Sequence, residues 1–206
     1  MFFKNKVMQF GVVHRIKLWL YKLVSSSRMV YRLAFEIAFE GLPRPFDNFC
    51  KNHFRGRDSL TGVEIGVFEG LHAESLVKTL RPKKLYLVDP YVTYDDGQMP
   101  IAVVEQAKRE AHKRLHGGNV NFLRCKSTEA DLTGLDFIYI DGDHRYEAVK
   151  ADLDYWWPRL NNLGVIGGHD FGIWPGVVRA VTEWAAKNNL QLHCETPDWW
   201  VVKNGA

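Results

Sequence analysis

Residues 136–156 read DFIYIDGDHRYEAVKADLDYW, and a change of period inside this stretch decides the fold. Residues 136–141 form a short apolar run that ends on Asp141, the pattern of a buried strand. From Tyr146 onward, Val149, Leu153, Trp156 and Leu160 fall on one helical face, which Pro158 ends early or kinks. Between strand and helix stand Asp141, Asp143 and His144, with Gly142 among them. Asp143 has a local role: it caps the helix that begins near Arg145, where the helix dipole also favours Glu147. Asp141 and His144 have no such role. Ionisable groups beside a core strand are costly unless used, so these two are read as functional.

The same alternation extends in both directions. Upstream, GVEIG (62–66) and KLYLVD (84–89) read as strands, and Ala73, Leu76, Val77 and Leu80 mark the helix between them. Pro100 suits a helix first turn, and Ile101, Val104, Ala107, Ala111 and Leu115 continue as a stripe. VNFLRC (120–125) is the strand before the opening stretch. Downstream, GVIGG (164–168) is a strand, and residues 176–188 a helix with Val177, Val181 and Trp184 inward. LQLHCE and WWVVK are then joined only by TPD, which requires an antiparallel hairpin. Alternating strands and helices give an α/β protein: a Rossmann-like, doubly wound sheet, mostly parallel, closed by a C-terminal antiparallel hairpin. Such sheets bind ligands at the carboxyl ends of their strands, which directs attention to the loops after residues 66, 89, 141 and 168.

Composition narrows the class. The 206 residues are 46% hydrophobic and 25% charged, ordinary for a globular domain. Cys50, Cys125 and Cys194 have no metal or redox spacing, and a sparse odd set fits a reducing, cytoplasmic setting. The net charge of +3 is uneven. Lys4, Lys6, Arg15, Lys17, Lys22, Arg28 and Arg32 face no acidic residue within 1–35, so the remainder of the chain is net acidic and offers no electrostatic case for nucleic acid. In residues 10–24, Val12, Ile16, Trp19, Leu20 and Leu23 share a face that Arg15, Lys17 and Lys22 avoid. Such a helix docks on its own domain or on a second copy of the chain, or lies on an anionic membrane surface. No stretch reaches the ~18–20 uninterrupted apolar residues of a membrane span. The proline turns of GLPRPFDNF (41–49) divide the chain into a basic amphipathic segment with its linker, residues 1–57, and a core domain, residues 58–206.

Two further loops carry chemistry. VEIGVFEG (63–70) places Glu64, Gly66 and Gly70 after the first strand. Because Val67 and Phe68 follow Gly66, this is not the G-x-G-x-x-G of a dinucleotide site, which needs a second close approach to pyrophosphate. LYLVDPY ends the second strand on Asp89, where a carboxylate can accept from both hydroxyls of a ribose. Before Pro90 it also serves as a turn former.

Taken with FIYIDGDHRYEAVKADLDYW, GVIGGHDF and GVVRAVTEW, these motifs resemble the class I S-adenosylmethionine-dependent methyltransferases. The chain from about residue 60 is most similar to the methyltransferase 24 type, which is related to macrocin and other sugar O-methyltransferases and to cephalosporin hydroxylase-like proteins. The resemblance implies the strand order 3-2-1-4-5-7-6. It also implies S-adenosylmethionine as cofactor, with Glu64, Gly66 and Gly70 beneath the methionine part, Asp89 on the ribose and Ser127 near adenine. Asp141 belongs to the same set and matches the metal-binding aspartate of metal-dependent O-methyltransferases. His169 and Asp170 fall where those enzymes carry an acidic or Asp-Asn pair, so Asp141, His169 and Asp170 are the implied ligands of a divalent cation, Mg²⁺ or Mn²⁺. His144 stands where the family places a Lys or His base. A histidine at 169 departs from the pattern.

The expected activity is metal-assisted O-methylation of a small hydroxylated acceptor such as a sugar or glycosylated metabolite. No nucleic-acid partner is expected, since the Asn/Asp-Pro-Pro-aromatic stretch of base-nitrogen methyltransferases is missing after the fourth strand. Peripheral membrane contact or self-association would run through residues 1–35. The rival readings are a nucleotide-dependent oxidoreductase, against which the glycine spacing speaks, and a non-catalytic binding protein or membrane-associated scaffold, against which the intact site residues speak.

Overall fold

The computed structural model describes residues 43–93, 100–117 and 119–204. The basic stretch 1–35, and the amphipathic helix expected within it, lie outside the described residues. Seven strands form one sheet: β1 (Thr61–Ile65), β2 (Lys84–Val88), β3 (Val120–Leu123), β4 (Leu135–Ile140), β5 (Leu160–Gly168), β6 (His193–Glu195) and β7 (Asp198–Val202). Their order is β3-β2-β1-β4-β5-β7-β6. The first five run parallel, and β7 lies antiparallel between β5 and β6. This is the expected topology. Helix α1 (Pro45–His53) precedes β1, and between the strands run α2 (Leu71–Leu80), α3 (Ile101–Arg114), α4 (Tyr146–Trp156) and α5 (Pro175–Lys187). Pro158 stops α4 as its missing N–H requires, leaving the 3-10 turn Trp157–Arg159, and β5 starts directly after that turn.

The sheet is covered on both faces. On one, Val63, Ile65, Ile138 and Ile140 pack against Leu153 and Trp156 of α4 and Val181 and Trp184 of α5. On the other, Leu85, Phe137, Tyr139 and Trp200 meet Phe46 and Cys50 of α1, Ala73 and Leu76 of α2, and Val104 of α3. Burying side chains of this size stabilises the fold by roughly 1.5–3 kcal/mol each.

The compact unit that contains the sheet spans Pro43–Ala206 and includes α1. Pro45 does not mark a linker; it occupies the first turn of α1, where its missing N–H costs nothing. The N–H of Arg44 donates to Asp47 three residues on, at 3.2 Å, and closes the helix start. Phe46 and Cys50 are fully buried and Phe54 nearly so. Phe46 lies flat enough on β5 that a Cβ at Gly167 would come within 2.6 Å of its ring, so a glycine is required there for α1 to seat.

Candidate active site

Polar side chains gather at the carboxyl ends of β1, β4 and β5, which are adjacent strands. The first wall is the turn after β1. Gly66 has φ +82°, and a Cβ on it would sit 2.2 Å from the carbonyl oxygen of Asp141, so only glycine lets the turn close on the β4 loop. Asp89 holds this turn from β2. Its Oδ2 accepts the N–H groups of Val67 (2.9 Å) and Phe68 (3.0 Å), and its Oδ1 that of Tyr91 (2.7 Å). A carboxylate has about four acceptor directions, so three are used and about one remains. Gly70, with φ +74°, opens α2. Ser127 accepts from Trp156 Nε1 at 2.8 Å, which ties its hydroxyl to α4.

The second wall is the end of β4 and β5. His144 Nε2 lies 2.6 Å from Asp170 Oδ2, and the imidazole stacks flat on Trp174 at 5.2 Å with 2° between the rings. Burial opposes a charged His144, but the Asp170 hydrogen bond and the charges of Asp170, Asp141 and Asp143 outweigh it and raise its pKa above 6.5. Burial likewise opposes the Asp170 carboxylate, yet His144 and His169 outweigh it and hold the pKa well below the ordinary range. Asp170 has φ +65°, and both Ile173 and Trp174 donate their N–H groups to its carbonyl, so the loop carrying Trp174 is tied to the same residue.

Two of the three expected metal ligands, Asp141 and Asp170, cluster with His144. Ligand atoms of Asp141, His144 and Asp170 lie within 4.8 Å of one another. His169 is outside that cluster. Its Nδ1 is 3.1 Å from Asp170 Oδ1 and 3.8 Å from Asp141 Oδ1, so it bridges the two carboxylates.

Behind these groups lies a buried network that the sequence reading missed. Arg44 Nη1 donates to Tyr139 Oη (2.7 Å) and to Asp141 Oδ2 (3.2 Å). The Tyr139 hydroxyl donates to Asp198 Oδ1 (2.9 Å), whose Oδ2 accepts the Phe46 N–H (3.1 Å). Next to it, His72 bridges Asp47 Oδ1 (2.9 Å) and Glu64 Oε1 (3.1 Å). Glu64 Oε2 is buried and has no hydrogen-bond partner. Burial pushes the Glu64 pKa up, and His72 only partly opposes this. The readable signal for this network was the spacing of Phe46, Phe49, Cys50 and Phe54, a helical stripe that would have drawn Arg44 and Asp47 into the domain.

Comparison with known proteins agrees with this geometry. Residues 63–171, more than half of the chain, match the model of the methyltransferase domain family Methyltransf_24. The uncharacterized protein R132 of Acanthamoeba polyphaga mimivirus is 31% identical over 124 residues, 56% of this chain and 53% of that protein. The chain thus spans about half the length of that curated relative. Among solved structures, the O-methyltransferase NovP superposes with a TM-score of 0.59 at 18% identity, covering 78% of each chain. The calicheamicin methyltransferase CalS11 gives 0.58 at 13% identity, covering 95% of this chain and 94% of its own. A candidate caffeoyl-CoA O-methyltransferase from Staphylococcus aureus gives 0.59 at 13%, covering 93% and 100%. At these identities the structures share the fold, and it is the family match that assigns the chain: the protein belongs to the Methyltransf_24 family of class I methyltransferases.

Proposed function

We propose that the protein transfers a methyl group from S-adenosylmethionine to a hydroxyl oxygen of a small acceptor, a sugar or glycosylated metabolite. The observation that carries this reading is the 2.6 Å pair of His144 and Asp170 beside Asp141, across the crevice from the Gly66 turn. The unpartnered Glu64 Oε2 and the close-approach turn at Gly66 fit an adenosyl cofactor with a charged amino-acid end, and Glu64, Gly66, Gly70, Asp89 and Asp141 are the residues that would hold it. When bound, the sulfonium supplies an electrophilic methyl carbon. An alcohol is scarcely ionised at neutral pH, so the acceptor must lose its proton as it attacks. With Nε2 engaged by Asp170, Nδ1 of His144 is the nitrogen left to take that proton, and Asp170 fixes the tautomer and steadies the imidazolium that forms. Trp174, 48% exposed and stacked on His144, offers an apolar surface to the acceptor beside this base.

Calorimetry with S-adenosylhomocysteine and with NAD tests the cofactor. S-adenosylhomocysteine is expected to bind and NAD not to. Asp89→Ala is expected to weaken the former by about 1–3 kcal/mol, because three loop N–H groups lose their acceptor. Binding of NAD alone would overturn the reading.

The carboxylates of Asp141 and Asp170 would hold a cation such as Mg²⁺ or Mn²⁺, with His144 beside them left as the base. A cation there would polarise the acceptor oxygen. Exhaustive chelation is then expected to lower the methylation rate, and added Mg²⁺ or Mn²⁺ to restore it. Full activity in EDTA would leave the cluster as an acid–base site without metal.

A further inference from the structure

The carboxylate oxygens of the crevice are already matched by nitrogens. Asp170 Oδ2 has His144 Nε2 at 2.6 Å, and Asp170 Oδ1 has His169 Nδ1 at 3.1 Å. Asp141 Oδ1 faces the same His169 nitrogen at 3.8 Å, and Asp141 Oδ2 accepts from Arg44 Nη1 at 3.2 Å. A divalent cation held by these carboxylates has to share or take over oxygens that are already engaged. The nitrogen partners differ in how they can respond. An imidazole without its proton bears no charge and can itself become a ligand. A guanidinium stays charged at any working pH and carries only donors, so it repels a cation and cannot ligate it.

Arg44 is also held in place. Its Nη1 donates to Tyr139 Oη at 2.7 Å, and its backbone N–H donates to Asp47 Oδ2 at 3.2 Å. The Tyr139 hydroxyl is fixed in turn by Asp198 at 2.9 Å, whose other oxygen accepts the N–H of Phe46, two residues after Arg44. The side chains of Arg44 and Asp141 are 14% and 20% exposed, so salt and water screen this pair less than a surface pair. Arg44 precedes α1 and lies outside the matched residues 63–171, so the family match assigns it nothing.

We propose that Arg44 is a built-in counter-ion of Asp141, which balances that carboxylate from the segment before α1 and keeps the crevice's affinity for divalent cations low. It is a positioning residue that acts on a bound cation through Asp141. The proposal rests on the reading that Asp141 and Asp170 hold a cation, and it makes that cation loosely held and readily exchanged. The sign of the effect separates this role from a structural one. Removing a prop loosens a site, whereas removing a competing charge tightens it.

Mn²⁺ is the probe, and the electron paramagnetic resonance signal of the free ion reports how much is bound. It is titrated into full-length wild type, Arg44→Met, Arg44→Gln, Arg44→Lys and the double variant Arg44→Met with Asp141→Asn. Arg44→Met is expected to bind Mn²⁺ about tenfold or more tighter than wild type, because one positive charge beside the carboxylate is gone. Arg44→Gln is neutral as well but keeps a side-chain donor, and it is expected to gain likewise; it supplies the result if circular dichroism shows that Arg44→Met does not fold. Arg44→Lys keeps the charge and is expected to stay within about threefold of wild type. In the double variant the gain is expected to vanish, which assigns it to Asp141. The proposal falls if the folded neutral variants bind Mn²⁺ no tighter than wild type, if Arg44→Lys gains as much as they do, or if the gain survives in the double variant. The chelation assay above decides a different point: full activity in EDTA defeats metal assistance, while tighter Mn²⁺ binding on loss of Arg44 stands whether or not turnover uses a cation.

Discussion

Replacing His144 with alanine is expected to lower methyl transfer about 10²–10⁴-fold, with S-adenosylhomocysteine affinity within about threefold of wild type. The imidazole is held in one orientation from two sides: Asp170 at 2.6 Å on Nε2, and the indole of Trp174 flat against its face. That arrangement resembles the base and orienting acid of other proton-transfer sites, where removing the base removes the step and leaves binding intact. The surrounding carboxylates shift the His144 pKa upward despite burial, so the neutral base is scarcer at pH 7 than in an unshifted histidine. The wild-type rate is therefore expected to rise with pH through an apparent pKa above 6.5 and to be lost on acidification. Initial rates with a labelled methyl donor, measured for both proteins across pH 5.5–9.5 on the acceptor that wild type methylates, check both points. Near-full turnover in His144→Ala would mean that positioning alone suffices.

The second large effect concerns stability. His72→Gln is expected to destabilise the domain by about 2–3 kcal/mol near neutral pH. The imidazole lies between the carboxylates of Asp47 and Glu64 and is 3% exposed. Burial and the charge of Arg44 oppose its protonation, yet the two acids outweigh them and raise its pKa to about 9. A raised histidine stabilises the fold fully below its unfolded value near 6.5, and that contribution is lost as pH rises through about 9. Asp47 behaves in the opposite sense. Burial opposes its ionisation, but His72, Ser75 and the Arg44 N–H lower its pKa, so its contribution is lost on acidification. Glu64, pushed up by burial, offsets part of the gain at neutral pH. Thermal melts followed by circular dichroism should show wild type losing stability between pH 7 and 10, and His72→Gln lacking that alkaline slope. Parallel profiles for the two proteins would remove His72 as the buried cation.

Much of the fold was legible in the sequence, because its strands are runs of buried apolar residues and its helices carry clear stripes. FIYI and its following stripe fixed β4 and α4 within a residue or two, and TPD dictated the antiparallel hairpin. The helix α1 was missed for a physical reason: two prolines read as punctuation, although one of them is favoured at a helix start. In the site, Asp141, His144 and Asp170 were legible because charged groups at the ends of core strands stand out against their neighbours. His169 and Asp170 were assigned together because they fall where the resembled enzymes carry an acidic or Asp-Asn pair. The left-handed backbone of Asp170 instead accompanies its pairing with His144, while His169 spans two acids. Asp89 shows another limit. Its partners are backbone N–H groups, which have no residue identity to read. Arg44 meets Asp141 across 97 residues, a distance at which no local pattern speaks.

The place of β7 has a consequence for the order in which the molecule can be completed. This strand is last in chain order but interior in the sheet, and it brings Asp198, which receives both the Tyr139 hydroxyl and the Phe46 N–H. During synthesis the parallel strands emerge from the ribosome well before it. Until β7 inserts beside β5, the Tyr139 hydroxyl and the Phe46 N–H lack the acceptor that Asp198 supplies. Contacts so distant in sequence form late. The crevice is therefore finished by the closing strand, and a nascent chain that already has most of its sheet cannot yet present the assembled pocket.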